Sequence, residues 1–426
     1  MRLLVVCPDY ASHAFGLVEI ASASRRRGDE VWFATGDAVR PLVEAAGLAW
    51  APLRLGRGSN PGTIRVGDQP PGEDAHLKAF FDATRVGAMA TLQYQADARR
   101  HDLLFEPDRV LDDLDAIVDR VRPDEVLVDH VSFAATLALH ALDVPYTSVV
   151  LGHPTALPAP GELYGCPPTW PAAIRPLAPE LDALERRCAE VADEFTRAAN
   201  DLLARRAPRR PAIDDAFAHA GHTTFFNYPA ELHPPGRQVP PRSIFLGSLA
   251  RRQDLDGQPL PKGLGPRVLV SLGSFLSARD DVLATAVAAA AGSGWALALA
   301  HGATPRAALG PIPPGAVVEP TLRQVALLDH TDVVVSHGGN NTVTEALRAG
   351  RPQVILPFST DQFAGAAAVE QAGLGVVLDP NRLSVCALQQ AVETVARAPY
   401  VDRAAALGER IRARPGAEVA AASLGR

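Results

Sequence analysis

Cysteine, lysine and long apolar runs are scarce in the 426-residue sequence. The cysteines show neither Cys-x-x-Cys spacing nor histidine partners at metal-ligand intervals, so a zinc site or a disulfide framework is not indicated. Scattered thiols are typical of a reducing compartment. With a net charge of −7, the chain has no broad basic surface for nucleic acid. The four cysteines are Cys7, Cys166, Cys188 and Cys386.

Signals for secretion or membrane insertion are also missing. The apolar run at residues 3–6 is too short for the hydrophobic region of a signal peptide, and no small-residue cleavage site follows it. The stretch closest to a membrane span, residues 282–300, carries Gly-Ser-Gly in its middle and is typical of a helix followed by a strand. We therefore expect a cytoplasmic protein with no membrane span.

Short β-rich runs alternate with longer helical patterns along the first half of the chain. Turn residues such as Gly28 and Gly47 close the first two helical patterns. A strand–helix–strand rhythm of this kind predicts a parallel, doubly wound sheet with helices on both faces. The predicted strands are 3–7, 31–34, 125–129 and 146–151, and the predicted helices are 16–27, 39–46 and 133–142.

Prolines crowd together in residues 229–266, which is typical of a linker. The strand–helix rhythm then restarts. The sequence therefore predicts an α/β protein of two Rossmann-like domains facing a cleft, each with its strand-end loops directed at ligands. The predicted units are 1–228, the linker 229–266, 267–400, and a C-terminal helix in 401–426 that crosses back to the first domain. In the second half the predicted strands are 267–272, 295–300, 317–318, 333–336 and 353–356, with helices at 281–291 and 343–349.

The most informative stretch runs from a buried strand through two glycines into small polar residues that open a helix. Glycine lets the backbone pass close to a ligand, and the first-turn N–H groups of a helix favour an anion. His337 stands at the end of the strand, and Gly339 follows. Asn340, Asn341 and Thr342 supply donors without bulk. The pattern indicates a phosphate-binding turn.

A second polar pair, Asp361 and Gln362, follows the next strand, and a carboxylate beside a carboxamide suits sugar hydroxyls. Together, residues 337–345 and this pair resemble the donor-binding signature of the family 1 glycosyltransferases. That group includes UDP-sugar transferases and bacterial natural-product transferases, and its fold is GT-B. The resemblance extends over most of the chain.

The resemblance implies roles for individual residues. The diphosphate would lie on His337, Asn341 and Thr342, beside Gly339 and Asn340. The ribose would lie on Glu345 and the transferred sugar on Asp361 and Gln362. Gly273 and Ser274 match the glycine turn beside the diphosphate, and Leu322 and Gln324 fall where the family holds the base. Thr321 stands in place of a usual aromatic residue and Arg323 in place of a proline, so the choice between UDP and dTDP stays open.

An inverting transfer needs a base that removes a proton from the acceptor hydroxyl, and the family uses a histidine in the loop after the first strand. His13 takes that place, and histidine is a competent base near neutral pH. Asp129, at the end of the strand 125–129, stands where the family keeps the carboxylate that orients this base. Asp9, His130 and His153 remain alternative bases.

We expect no metal and no cofactor beyond the nucleotide-sugar cosubstrate, because the dipole of the helix at the diphosphate can replace a divalent cation. A small-molecule acceptor is expected in the first half, at 54–105 and 154–170. Alternatives are a non-catalytic activator of a glycosyltransferase pair and a nucleotide-sugar epimerase. A dinucleotide oxidoreductase is disfavoured because no G-x-G-x-x-G follows the first strand. A homodimer is left open. The candidate acceptor residues are Phe81, Tyr94, His153 and Trp170.

Overall fold

Two parallel β-sheets, flanked by helices, organise the chain. The computed structural model describes residues 1–62, 72–102, 104–273 and 276–425. The strand order is β3-β2-β1-β4-β5-β6-β7 in the first sheet and β10-β9-β8-β11-β12-β13 in the second. The strands of the first sheet are β1 (Arg2–Val6), β2 (Glu30–Thr35), β3 (Ala49–Pro52), β4 (Glu125–Asp129), β5 (Thr147–Val150), β6 (Thr223–Phe226) and β7 (Ser243–Phe245). Those of the second are β8 (Arg267–Ser271), β9 (Ala296–Ala300), β10 (Val317–Glu319), β11 (Val333–Ser336), β12 (Gln353–Ile355) and β13 (Gly375–Val377).

Helices connect the strands on both faces, and the predicted α/β class of two Rossmann-like units is confirmed. The central strands are nearly continuous runs of valine, leucine and alanine because a sheet covered on both faces buries every side chain. The helices of the first half are α1 (Ala11–Arg26), α2 (Arg40–Ala45), α3 (Glu73–Val86), α4 (Ala88–Asp102), α5 (Pro107–Val121), α6 (Phe133–Ala141) and α7 (Ala178–Arg206). The later helices are α8 (Asp280–Ser293), α9 (Gln324–Leu328), α10 (Asn340–Arg348), α11 (Gln362–Gln371), α12 (Val385–Val395), α13 (Tyr400–Ala413) and α14 (Gly416–Ser423).

The order of strands reverses direction at one point in each sheet, and a crevice opens there at the carboxyl ends of the strands. In the first sheet this point lies between β1 and β4, where Val6 pairs with Val128. In the second it lies between β8 and β11, where Ser271 pairs with Ser336. The loops that follow these four strands are therefore the ones that the fold brings together.

Two boundaries differ from the sequence-based expectation. Helix α1 begins at Ala11, not at residue 16, because the N–H of Ala11 donates to the carbonyl of Asn60 at 2.8 Å and so fixes the first turn. His13 consequently lies inside a helix and not in a loop. The predicted linker also contains β7, which pairs with β6 through Ile244 and Phe225. A three-residue strand between prolines gives too short a pattern to recognise.

Helices α3 and α14 make contacts between the two halves. Helix α3 buries Leu77 and Phe80 against the core of the second sheet, and the fully buried Arg279 donates to the carbonyl of Thr84 at 3.0 Å. Helix α14 packs against α1 and buries Ala420 there. Among the described helices, none combines the length and the apolar character needed to cross a bilayer.

Candidate active site

A cleft of about 890 Å³ lies between the two sheets. Its walls come from the segments that follow β1, β4 and β5 in the first half and β8, β9, β10 and β11 in the second. The cleft therefore contains both points at which the strand order reverses. This is the place where an open α/β sheet binds its ligand.

His13 and Asp129 form a hydrogen-bonded pair at the first of these points. The distance between His13 Nδ1 and Asp129 Oδ2 is 2.7 Å. Asp129 is 1% exposed, and its other oxygen accepts from the N–H of Val131 at 3.1 Å, whereas the His13 side chain is 28% exposed and lines the cleft. A carboxylate only accepts hydrogen bonds, so Nδ1 of a neutral His13 carries the proton and Nε2 is left with its lone pair.

Electrostatics around His13 favour its protonated form. Burial lowers the pKa of His13, but the charge of Asp129, the hydrogen bond from it and the charge of Asp361 outweigh burial, so that the pKa lies above the ordinary 6.5. An imidazolium formed in this place is thus stabilised, as a group that takes up a proton requires.

The three alternative bases are engaged elsewhere. Asp9 accepts from the N–H groups of Ala38 and Val39, the latter at 2.9 Å, and so anchors the turn before α2. His130 is buried and its Nε2 donates to the carbonyl of Ala156 at 3.0 Å, while burial lowers its pKa. His153 is buried too, and burial lowers its pKa to about 3.

Opposite the His13 pair, the N-terminus of α10 opens onto the cleft. Its N-cap is Gly339, and no side chain caps the helix, so the first-turn N–H groups lack partners from a cap. His337 lies beside them in the cleft wall; burial lowers the pKa of His337 to about 4, and its buried Nδ1 has no hydrogen-bond partner among the described residues. Neutral imidazole and free N–H groups together make a site for an anion.

Two glycines enclose the His337 ring. Gly273 has φ = +71°, a conformation that glycine adopts without strain, and a Cβ there would lie 2.6 Å from His337 Cε1. Gly339 has an ordinary φ of −60°, but a Cβ on it would overlap His337 Nε2. Ser274, also expected in this turn, lies outside the described residues.

The asparagine side chains of this turn have partners that the sequence did not indicate. Asn340 Nδ2 donates to the carbonyls of Leu151 at 2.7 Å and Asn227 at 2.8 Å. Asn341 Nδ2 donates to the carbonyl of Ser12 at 2.6 Å. Both carboxamides thus join the second half to the first, instead of extending toward a diphosphate as expected. Their backbone N–H groups remain at the helix N-terminus.

Glu345 lies one helical turn further along α10 and is 5% exposed. It accepts from Gln324 Nε2 at 2.7 Å, and Arg251 Nε lies 3.8 Å from its other oxygen. Burial raises the pKa of Glu345, and Arg251 and Gln324 oppose that shift. Arg251, which the sequence did not single out, is held 3.9 Å above the ring of Phe15 and lines the cleft. It brings a positive charge to the expected donor side.

Leu322 and Thr321 line the same part of the cleft, with Gln324 completing its wall. No aromatic side chain comes from residues 320–324, so stacking on a base at Thr321 is absent. The neighbouring Gln253 accepts from the N–H of Val325 at 3.0 Å and folds the segment after β7 over this region.

The two residues expected to bind the sugar, Asp361 and Gln362, differ in position, since only Asp361 lines the cleft. Asp361 lines the cleft and accepts from the N–H of His153 and from the hydroxyl of Thr360 at 2.9 Å; burial raises its pKa. Gln362 does not line the cleft, because its Oε1 accepts from the N–H groups of Phe358 and Ser359 at 3.0 and 3.2 Å. Gln362 therefore shapes the turn before α11, and the expectation that its carboxamide faces a sugar does not match its position.

None of the four candidate acceptor residues lines the main cleft. Phe81 is buried in the core of the second sheet, and Tyr94 packs against that core. Trp170 packs on Phe363 with ring centroids 4.9 Å apart. His153 faces a second cavity of about 510 Å³. Phe81, Tyr94 and Trp170 thus pack against residues of the second half, which aromatic content alone does not reveal.

The wall beside His13 is formed instead by Arg99 and Tyr164, with Val131 and Pro167 nearby. Of the expected acceptor segments, residues 63–71 and 103 lie outside the described residues. Tyr164 lies within the expected acceptor segment 154–170, whereas nothing in the sequence distinguished Arg99 among the many arginines.

Comparison with known proteins indicates the family of α/β proteins to which this chain is similar. Residues 260–417 match the family model described as UDP-glucoronosyl and UDP-glucosyl transferase. A zeaxanthin glucosyltransferase of Pseudescherichia vulneris is 27% identical over 398 residues, covering 91% of this chain and 87% of that protein. The matched family model, these relatives and the arrangement of the two sheets all indicate a family 1 glycosyltransferase of the GT-B fold.

Two further comparisons concern how much of known glycosyltransferases this chain covers. The NDP-glycosyltransferase YjiC of Bacillus subtilis is 31% identical over 186 residues, 43% of this chain, and the match spans less than half (47%) of that protein. The crystal structure of the glycosyltransferase VinC in complex with dTDP superposes with a TM-score of 0.67 at 20% identity, covering 100% of this chain and 98% of that one. That likeness concerns the fold.

Proposed function

We propose that this glycosyltransferase moves a sugar, with inversion at the anomeric carbon, from a nucleoside-diphosphate donor to a hydroxyl of a small-molecule natural product. The observation that carries the proposal is the His13–Asp129 pair, 2.7 Å apart, facing the uncapped N-terminus of α10 across one cleft. A proton acceptor and an anion site on opposite walls are what an in-line displacement requires.

In the proposed reaction, His13 Nε2 takes the proton of the acceptor hydroxyl while that oxygen attacks C1 of the donor sugar. The bond from C1 to the phosphate oxygen breaks, and its electron pair leaves with the nucleoside diphosphate. Asp129 holds the ring through Nδ1 and stabilises the imidazolium that forms. Attack from the face opposite the leaving group inverts C1.

The leaving diphosphate gains negative charge, and the first-turn N–H groups of α10 with His337 are positioned to receive it. Arg251 adds a full positive charge on the same side. We propose that these groups replace a divalent cation. The Asp-x-Asp spacing of Asp254 and Asp256 does not contradict this, since both carboxylates face Arg323, at 3.7 and 2.6 Å.

We propose dTDP as the nucleotide of the donor. The VinC structure was obtained with dTDP, although the family model is described by UDP-sugars. The relatives that match this chain include macrolide glycosyltransferases of Streptomyces fradiae, such as tylactone mycaminosyltransferase. A deoxysugar donor and a polyketide-type acceptor are therefore the first substrates to test.

One observation favours a second candidate, a non-catalytic activator of a paired glycosyltransferase. The side chains of Asn340, Asn341 and Gln362 are all engaged within the chain, so fewer groups than expected are left for a donor. Titration calorimetry separates the two. Binding of dTDP or UDP supports the enzyme, and absence of binding by both favours the activator.

The direct test is a panel of dTDP- and UDP-sugars with candidate acceptors, read by the mass of the product, with the anomeric configuration determined by NMR. We expect His13→Ala to lose transfer while it retains nucleotide affinity, and His130→Asn, whose native side chain lies outside the cleft, to keep transfer. Near wild-type transfer by His13→Ala, or retention of configuration, would show that the proposed base is wrong.

A further inference from the structure

Arg99 occupies an unusual position on the acceptor side of the cleft. It projects from α4 into the wall, with its guanidinium carbon 4.7 Å from the centre of the Tyr164 ring. Tyr164 in turn stacks on Phe217, with centroids 4.2 Å apart and planes 10° from parallel. Among the described residues, Arg99 is thus supported by stacked aromatic rings and not by a salt bridge.

Among the described residues, Arg99 has no carboxylate partner and no hydrogen-bond acceptor, and its buried Nη1, covered by Gly165, lacks an acceptor altogether. Its neighbour behaves differently, since Arg100 pairs with Glu194 at 2.7 Å on the outer side of α4. A guanidinium keeps its charge at any accessible pH. Because a half-buried charge without a counter-ion is costly, an anion in the cleft would stabilise the Arg99 guanidinium.

The groups of the proposed reaction line the same cleft as Arg99. The same cleft wall contains His13 and Asp361, and the hydroxyl of Tyr164 is within the field of Arg99, Asp361 and Asp129. Burial raises the pKa of Tyr164, and the positive charge of Arg99 opposes that shift. Arg99 thus lines the same cleft as His13, and Tyr164 lies between the charge of Arg99 and those of Asp129 and Asp361.

We propose that Arg99 binds a carboxylate of the acceptor, so that this glycosyltransferase acts on hydroxy acids. The inference rests on the proposed function, because it takes the wall beside His13 as the acceptor side. A planar monoanion suits a guanidinium that presents its remaining N–H groups from one edge. A phosphate dianion is less suited, since Asp361 also lines this cleft and its carboxylate repels a dianion more strongly than a monoanion.

The test uses pairs of acceptors that differ only in this charge, led by 4-hydroxycinnamate and its methyl ester, at pH 7 with a fixed dTDP-sugar. Because a hydrogen bond to a charged group is worth enough to change a rate constant by about 10- to 100-fold, we expect kcat/KM to favour the acid by that factor. Arg99→Met should remove the preference, chiefly through KM, and Arg99→Lys should restore part of it. Arg100→Met is the matched control and should retain the preference.

Two measurements keep this test separate from that of the proposed function. The dTDP affinity and the hydrolysis of the donor without acceptor should be the same in Arg99→Met as in the wild type, which also shows that the variant is folded. If the wild type binds neither dTDP nor UDP, the proposed function itself is refuted. If donor is consumed but esters are used as well as acids, or no acid in the set is glycosylated, the role of Arg99 is refuted while the proposed function stands.

Discussion

Replacement of Asp129 by asparagine tests the base most sharply, because the two oxygens of Asp129 have different partners. Oδ1 accepts from the N–H of Val131 at 3.1 Å and Oδ2 accepts from His13 Nδ1 at 2.7 Å. An asparagine that keeps the first bond must turn its NH₂ toward His13. Nδ1 then becomes the acceptor, and the ring proton moves to Nε2, the atom that has to receive the proton of the acceptor hydroxyl.

The size of the effect follows from what is lost. The ring keeps its place, but its lone pair faces the wrong way and the carboxylate that stabilises the imidazolium is gone. General-base catalysis contributes about 10²- to 10⁴-fold, so we expect kcat of Asp129→Asn to fall within that range. Nucleotide affinity should be unchanged, since Asp129 lies in the first sheet, away from α10.

The pH profile supplies a second, independent signature. Burial lowers the pKa of His13, but Asp129 and Asp361 raise it above 6.5, and a base works only when unprotonated, so the acidic limb of wild-type kcat/KM should lie above pH 6.5. Removing the charge at position 129 lowers that pKa, and the limb should move to lower pH. In Asp129→Asn, kcat/KM on the plateau of the pH profile should therefore fall, while its acidic limb should move to lower pH.

Asp9→Asn is the matched control, because Asp9 follows β1, as His13 does, but accepts from backbone N–H groups of the turn before α2. Asp9→Asn should keep most of the wild-type kcat, and the acidic limb of its pH profile should lie at the same pH as in the wild type. Rates are measured under saturating donor by product mass between pH 5 and 9, with thermal melting to verify folding. A plateau loss below tenfold together with an unmoved limb in Asp129→Asn would refute the reasoning.

Three further outcomes are expected. Gly339→Ala should weaken dTDP binding measured by calorimetry, since its Cβ would overlap the His337 ring, and unchanged affinity would count against the site. Arg251→Met should weaken dTDP binding by about tenfold, because one contact with a charged group is lost. Arg252 is a surface arginine paired with Glu418, so Arg252→Met should leave dTDP affinity unchanged. Equal affinities of the two variants would contradict the role of Arg251. Asn341→Ala should lower the free energy of unfolding by about 2 kcal/mol, because its side-chain hydrogen bonds to Ser12 and Asn227 of the first half are both lost. An unchanged melting curve would show that these bonds add nothing to stability.

The sequence identified the elements that meet at the reversal points of the two sheets, because each is a short buried strand ending in turn residues. His13, Asp129 and the turn after β11 follow from that order of strands and from the chemistry of their side chains. Strand β7 was not predicted, because a strand of three residues is too short to show the alternation of apolar and polar side chains.

The partners of individual side chains were harder to predict. Asn340 and Asn341 have the same donors whether they bind phosphate or the carbonyls of the other half, and only the closed arrangement of the two halves distinguishes these roles. Phe81 has the spacing of a core residue and of a pocket residue alike. Arg99 and Arg251 are long side chains in a chain rich in arginine, so their position in the cleft depends on aromatic supports distant in sequence.

The account depends most on the site at the N-terminus of α10, and a crystal structure of the complex with dTDP tests it directly. We expect the β-phosphate within hydrogen-bond distance of the backbone N–H groups of Asn341 and Thr342 and of His337, with His13 facing it across the cleft. A diphosphate found outside that turn, for example in the second cavity beside His153, would contradict the proposed mechanism.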